Sequence, residues 1–289
     1  MRYVLGVDIG GTFTDAIAVD ESSGTSRIAK VPTTPEDQSM GLIHAAGAAG
    51  VPFSETLALI HGTTVSTNAI LERKGARVGL ITTEGFRDVL ELRRRDRHRT
   101  YGLVGEFEPL VPRNLRLEVD ERTDAGGNVL KEVNEGQVEA AARKLLAEGV
   151  KAVAVAFLHS YANPANERKA LEALRRVWPN DHIVISSEVL PEFREFERTS
   201  TAVATAYIRP VIGGYLGSLA GRLSHDGYGR DVLLVQSNGG IMSQRVAERL
   251  AIRTVLSGPA AGAIAASQIA QGAGLENVIS CDMGGTSFD

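Results

Sequence analysis

The sequence predicts an α/β protein built on a mixed, mainly parallel sheet with helices on both faces, and three observations carry that prediction. Apolar runs of strand length alternate with helical patterns along most of the chain, which places helices over a largely parallel sheet. The opening segment instead reads strand, turn, strand, turn, strand: an antiparallel meander that makes the sheet edges mixed and disfavours a simple dinucleotide fold. An octet of the form Asp-x-Gly-Gly-Thr-x-x-Asp occurs twice, as DIGGTFTD at 8–15 and DMGGTSFD at 282–289, each time after an apolar run.

Taken in order, YVLGV is a buried strand, TFTDAIAVD a partly alternating second strand, and RIAKVPT a short third. PEDQSMGLIHAAGAAG is a helix with Pro35 in its first turn, Glu36 near its positive end and Gly50 as its stop. LALIHGTTVSTNAILERKG is a strand, a Thr-rich turn and a helix, and ARVGLITT is the next strand. Residues 86–130 break the alternation with a basic run, two prolines and an Asp-Ala-Gly-Gly turn, and read as a long loop with a small hairpin. Helix and strand then resume: a helix from Asn134, a buried strand VKAVAVAFL, a helix over 163–178, a strand HIVISS, one long or kinked helix from Thr199, and a strand DVLLVQ. An Ala-rich helix follows Ser257-Gly258-Pro259, and NVISC is a last strand in which Cys281 is a small core residue.

Composition narrows the function. With 289 residues and 43% hydrophobic content the chain can bury one large core or form two domains. Its 31 basic and 35 acidic side chains give a net charge of -4, so neither nucleic acid nor an anionic membrane is an expected partner. A single cysteine excludes an internal disulfide and a thiolate zinc cluster, which suits a cytoplasmic location. The apolar start is too short for a membrane span and is interrupted by Asp8.

The repeated octet carries the chemistry. Five of its eight positions are identical in the two copies, so internal duplication explains it. Paired glycines let backbone N–H groups converge on a phosphate and let the phosphate approach closely, the work expected of Gly10, Gly11, Gly284 and Gly285. Thr12 and Thr286 add hydroxyl donors. Asp8 and Asp282, at strand ends, are placed to hold Mg²⁺ through its water shell, and Asp15 to position a hydroxyl or water. Neither copy is a Walker loop, and no GxGxxG occurs.

Beyond these octets, HGTTVSTNAILERKGARVGLITTEGFRDVLEL, PRNLRLEVDERTDAGGNVL, SEVLPEFREFERTSTAVATAYIRP, LLVQSNGGIMS and RTVLSGPAAGAIAA follow one another in the chain. Together they resemble the N-terminal half of the hydantoinase A, 5-oxoprolinase and acetone carboxylase subunit family, over nearly all 289 residues. The resemblance implies a mixed-sheet actin-like (ribonuclease H-like) ATPase fold: a first lobe at 1–200 with its excursion at about 86–130, and the start of a second at 201–289. It also implies ATP and Mg²⁺ as cofactors, with Asp8 and Gly10 to Thr12 as the first phosphate element and Asp282 with Gly284 to Thr286 as the second. The implied activity is ATP-dependent opening of a small cyclic amide such as a hydantoin or 5-oxoproline. A ketone carboxylase subunit, a non-catalytic actin-like nucleotide-binding module and a sugar kinase are the alternatives. The implied partner is a hydantoinase B-type subunit or further copies of the chain. Relatives are longer, so independent ATP turnover is not expected, residues near Asp289 are expected to be unusually exposed, and Phe288 stands where many relatives carry Thr.

Secondary candidates lie at strand ends and helix starts. His61, Thr63 and Thr64 follow LALI, where α/β enzymes bind ligands, with Asn68 one turn on; a loop-pinning role for His61 is equally weighted. Asn238, in Gln236-Ser237-Asn238-Gly239-Gly240, lines the cleft or else takes a left-handed turn conformation. Ser257 and Gly258 open a helix whose exposed N–H groups can receive an anion, capping being the structural alternative. Arg194 and Arg198, four apart, could bind an acidic substrate if helical, but are read first as a salt-bridge network with Glu195 and Glu197, and the run from Arg93 to Arg99 as a solvated loop or subunit contact. His159 and His182 support no metal motif.

Overall fold

The structure, a computed structural model, describes residues 2–34, 37–94, 101, 107–283 and 288. Two compact units emerge, Met1–Lys74 with Val211–Asp289, and Gly75–Pro210. The changeover at Pro210 lies inside the long helix, as does the boundary expected at 200.

The first unit opens with the meander. β1 (Tyr3–Ile9), β2 (Phe13–Asp20) and β3 (Ser26–Pro32) pair antiparallel. Strict alternation along β2 buries Thr14, Ala16, Ala18 and Asp20 and turns Phe13, Asp15, Ile17 and Val19 outward. α1 (Gln38–Ala48) packs Leu42, Ala45 and Ala46 into the core. Its cap is Asp37, which accepts from Ser39 N at 3.1 Å; Pro35 and Glu36, expected in this first turn, lie outside the described residues. Gly50, at φ +65, ends the turn after α1, a conformation glycine reaches without a Cβ clash. β4 (Thr56–Thr63) then runs parallel to β1, and α2 (Val65–Leu71) follows it.

The second unit holds a four-stranded parallel sheet. β5 (Val78–Thr83) is buried along its whole length, as a strand covered on both faces must be. After α3 (Val89–Leu92), β6 (Arg116–Val119) pairs parallel to β5. The expected loop therefore contributes an edge strand. That strand was illegible because charged residues at 116 and 118 mask its period, and Arg116 is buried through bonds to Val111 O and Glu91. The small hairpin is β7 (Arg122–Thr123) with β8 (Val129–Lys131). α4 (Glu135–Ala147) is capped by Asn134, which accepts from Gln137 N at 3.1 Å. β9 (Ala152–Ala156), α5 (Ala165–Arg175), β10 (Ile183–Ile185) and α6 (Ser186–Val189) complete the sheet in the order β10-β9-β5-β6.

α7 (Glu195–His225) is the expected long helix, begun earlier than Thr199 and continuous through Pro210. Arg198 leaves the expected surface network: its side chain is buried and donates to Glu192 O and Phe157 O. Arg94 pairs with Glu197 instead, while residues 95–99 of the basic run lie outside the described residues.

The chain then returns to the first unit. β11 (Val232–Val235) adds parallel to β4, and β12 (Ile241–Ser243) forms a hairpin with β11. The six strands run β12-β11-β4-β1-β2-β3, so the mixed sheet is as expected, but β1 and β2 lie inside it and β3 and β12 form the edges. α8 (Gln244–Arg249) and α9 (Ser257–Gly272) follow. The strand expected at 277–281 does not form, because an extended segment becomes a strand only against a partner ladder and none pairs with it among the described residues. Its Ile279 is 91% exposed, and Cys281 is exposed rather than buried. No described helix is long and apolar enough to cross a membrane.

Candidate functional site

The first Gly-Gly-Thr turn joins β1 to β2. Register from Tyr3↔Asp20 to Ile9↔Thr14 leaves 10–13 as the connection, closed by Gly10 N–H donating to Phe13 O at 2.9 Å. A Cβ on Gly10 would stand 3.1 Å from that same oxygen, which favours glycine there. The turn is held from behind by Thr33, whose N–H donates to Thr12 O and whose hydroxyl donates to Gly10 O, both at 2.9 Å. Two turn carbonyls are thereby occupied, and Gly10, Gly11 and Thr12 border a cleft of about 1210 Å³ within the first unit.

Asp8 stands at the floor of that cleft, between Asp15 on β2 and Gly62 on β4. A Cβ at Gly62 would fall 2.5 Å from Asp8 Oδ1, so the glycine makes room for the carboxylate. Asp8 is open to the cleft but closed in by protein elsewhere. Burial first, then the carboxylates of Asp15 and Asp282, push its pKa up, against a lowering by Lys30. A carboxylate held above its usual range by neighbouring carboxylates is one that a divalent cation would relieve. Asp8 and Asp282 thus fit Mg²⁺ held largely through water. No cluster of three or more metal-ligating side chains occurs among the described residues.

A second wall is the start of α9. Leu256, which precedes this sixteen-residue helix, has φ +57, an uncommon conformation for a branched apolar residue, and no side chain caps the helix. Leu256 N–H donates to Thr67 Oγ1 and Ser257 Oγ donates to Thr63 O, at 3.0 and 3.3 Å, anchoring the helix start to α2 and β4. Ser257 and Gly258 border the cleft, and a Cβ on Gly258 would lie 3.6 Å from Asp8 Oδ1. An uncapped helix start beside the glycine turn supplies two sets of backbone donors suited to one polyphosphate.

Thr63 and Thr64 also border the cleft, Thr64 donating to Ile9 O at 3.2 Å and accepting from Asn68 Nδ2 at 3.4 Å. Asp282 joins the cleft wall, with Met283 beside it in an antiparallel bridge to Phe288; Gly284, Gly285 and Thr286 lie outside the described residues.

Two candidates are placed elsewhere. His61 is fully buried: Nδ1 lies 3.2 Å from Val7 O, which can only accept, so Nδ1 carries the proton and Nε2 accepts from Tyr215 OH at 2.7 Å. Burial lowers its pKa to about 4, leaving a neutral ring that pins β1, β4 and α7 together. Asn238 sits in the β11–β12 turn and accepts from Gly240 N–H at 3.0 Å, while Gly239, at φ +80, takes the left-handed position. Asp15 does reach the cleft, in an ion pair with Lys30 Nζ at 2.8 Å.

Lys30, Thr33 and Tyr215 are cleft residues that sequence reasoning missed. For Lys30 a signal existed, because pairing the predicted second and third strands in register sets residue 30 against Asp15. Tyr215 had none, since a helix remote in sequence delivers it.

The sequence profile of the hydantoinase/oxoprolinase N-terminal region matches residues 4–178, and that of hydantoinase/oxoprolinase matches residues 198–289. The caprolactamase alpha subunit of Pseudomonas jessenii is 38% identical over 100% of this chain and 43% of its own length. The acetophenone carboxylase gamma subunit of Aromatoleum aromaticum is 35% identical over 98% of this chain and 41% of its own. Two solved structures, of nucleotide-free acetone carboxylase and of the Pseudomonas jessenii ATP-dependent caprolactamase, superpose with TM-scores of 0.86, at 29% and 36% identity. Each covers 99% of this chain and 43% of the solved chain, so the protein described here spans less than half the length of the relatives it matches. These matches fix the architecture as the mixed α/β fold of the actin, Hsp70 and sugar-kinase group, in its first-lobe region. The chain belongs to the hydantoinase/oxoprolinase family.

Proposed function

We propose that this chain is the nucleotide-binding part of an ATP-dependent enzyme subunit that activates a carbonyl oxygen of a small molecule by phosphoryl transfer. The observation that carries the reading is the juxtaposition of the Gly10–Thr12 turn, the Asp8 carboxylate and the uncapped start of α9 around one cleft. ATP with Mg²⁺ would supply a phosphoryl group, with ADP released: on an amide oxygen it would make the carbon electrophilic enough for water to add and the C–N bond to break, the nitrogen taking a proton and phosphate leaving by hydrolysis of the acyl phosphate, and on a ketone that has lost an α-proton it would trap the enolate as an enol phosphate.

The chain's own residues bind and orient. Amides of Gly11, Thr12 and the α9 start receive phosphate oxygens, and the Thr12 hydroxyl adds a donor. Asp8 and Asp282 would hold Mg²⁺ through water, and Gly284 to Thr286 of the repeated octet would be the second phosphate element. Thr63, Thr64 and Ser257 line the wall against which the acceptor lies.

Two substrate classes fit. Ketone carboxylation is placed first, supported by the acetophenone carboxylase gamma subunit and the superposition on acetone carboxylase. Opening of a cyclic amide is second, supported by the caprolactamase subunit; of the substrates inferred from sequence, this favours 5-oxoproline, itself a lactam, over a hydantoin. Both relatives are named as subunits, which supports an assembly with other chains.

The test is ADP release by the protein together with any copurifying subunit. Stimulation by acetone or acetophenone with bicarbonate supports the first class, and stimulation by caprolactam, hydantoin or 5-oxoproline the second. Release that none of them changes contradicts both and points to a non-catalytic nucleotide-binding module.

A further inference from the structure

Lys30 is a cleft cation that neither octet contains. It sits on β3 opposite Asp15 on β2, and its Nζ lies 2.9 and 2.8 Å from the two Asp15 oxygens. The ammonium also stands 5.0 Å from the centre of the Phe13 ring, at the end of the glycine turn. Both partners border the cleft, and both are half exposed, at 55% and 51%. A water-exposed ion pair holds its partners weakly, so Lys30 can change partner at little expense.

The charges of the cleft supply the reason to change. Asp8, Asp15 and Asp282 border it together, and an entering polyphosphate adds several negative charges to theirs. Among the described residues the cleft has one other lysine, Lys74, which follows α2 and is paired with Glu72 at 2.6 Å. Lys30 is the cation adjoining the turn, and a phosphoryl group carrying more charge than one carboxylate competes for it.

We propose that Lys30 is a transferable cation: it holds Asp15 until a polyphosphate enters, then moves to phosphoryl oxygens at the Gly10–Thr12 turn and releases the Asp15 carboxylate into the cleft. This rests on the phosphate-binding reading of the cleft given above. The ion pair then becomes a charge-matched gate, favouring ligands with a multiply charged phosphate chain over nucleosides or singly charged anions.

Calorimetric titration with magnesium tripolyphosphate, a probe free of nucleoside contacts, tests it with four proteins: wild type, Lys30→Gln, Asp15→Asn and the double variant. Lys30→Gln should weaken binding at least tenfold. Asp15→Asn, which frees Lys30, should tighten binding severalfold, and that gain should vanish in the Lys30→Gln background. A pair serving only to tie β2 to β3 would weaken binding in both single variants, and that result overturns the proposal. So does a Lys30→Gln protein that binds as tightly as wild type, or an Asp15→Asn gain equal in both backgrounds. A wild-type protein that does not bind tripolyphosphate overturns the phosphate reading itself, and this inference with it. Circular dichroism melts of the four proteins check that each is folded.

Discussion

At the scale of single residues, the site concentrates its stress on Asp8. Its pKa is raised by burial and by neighbouring carboxylates, so the charged form is what the fold resists. A group whose folded pKa is raised adds stability below its unfolded value and loses it as pH rises through the folded value. Asp8→Asn should therefore raise the melting temperature at pH 7, with the gain shrinking toward pH 3.8 and below, while abolishing magnesium-dependent nucleotide binding. An unchanged or lowered melting temperature at pH 7 would show that the carboxylate is not under strain. His61 works with the opposite sign. Its folded pKa is lowered from 6.5 to about 4, so its contribution is complete above pH 6.5 and is lost as pH falls toward 4, by about 3 kcal/mol in total. His182, also depressed by burial, acts in the same direction, so the diagnostic is a comparison of urea unfolding in wild type and His61→Asn. The variant should be less stable at pH 7 and lose less between pH 6.5 and 4; equal slopes would contradict the buried neutral imidazole. Asp8 was legible because a motif surrounds it. The role of His61 was not, because the residues that decide it, Val7 and Tyr215, are neighbours only in space.

At the scale of elements, two glycines mark where strands meet what covers them. Gly62 on β4 leaves room for Asp8, and Gly62→Ala would put a methyl group 2.5 Å from Oδ1. The carboxylate must then turn, so nucleotide affinity should fall at least tenfold with little change in melting temperature; unchanged affinity would mean that Asp8 need not hold its observed position. Gly79 on β5 packs under α4, and a Cβ there would lie 2.6 Å from Leu145 Cδ1. Gly79→Ala should destabilise by about 1 to 3 kcal/mol through overpacking without affecting the cleft, as urea unfolding will show. α4 and α5 were legible because each buries a stripe that repeats in sequence, and β5 and β9 because each is a continuous apolar run of strand length buried on both faces. β6 was hidden by the charged Arg116 and Glu118, and β12 by its brevity beside a glycine turn. The strand anticipated at 277–281 fails for the opposite reason: its residues have strand character, but pairing needs a partner that propensity cannot supply.

At the scale of the whole molecule, the family and the actin-like architecture were readable because glycine turns and polar strand ends recur as strings along the entire chain. The division into compact units was not readable, because Met1–Lys74 and Val211–Asp289 come together across an intervening unit of their own chain. That return places β11 beside β4 and the start of α9 beside Asp8. The central claim is that the Gly10–Thr12 turn and the α9 start receive a nucleotide's phosphates. Amide hydrogen exchange, followed by mass spectrometry with and without magnesium ATP, tests it most directly. Slowed exchange in peptides covering 8–15 and 256–262, absent in Asp8→Asn, is the predicted result. Saturating ATP that leaves both peptides unchanged, or protects only segments away from the cleft, would contradict the account.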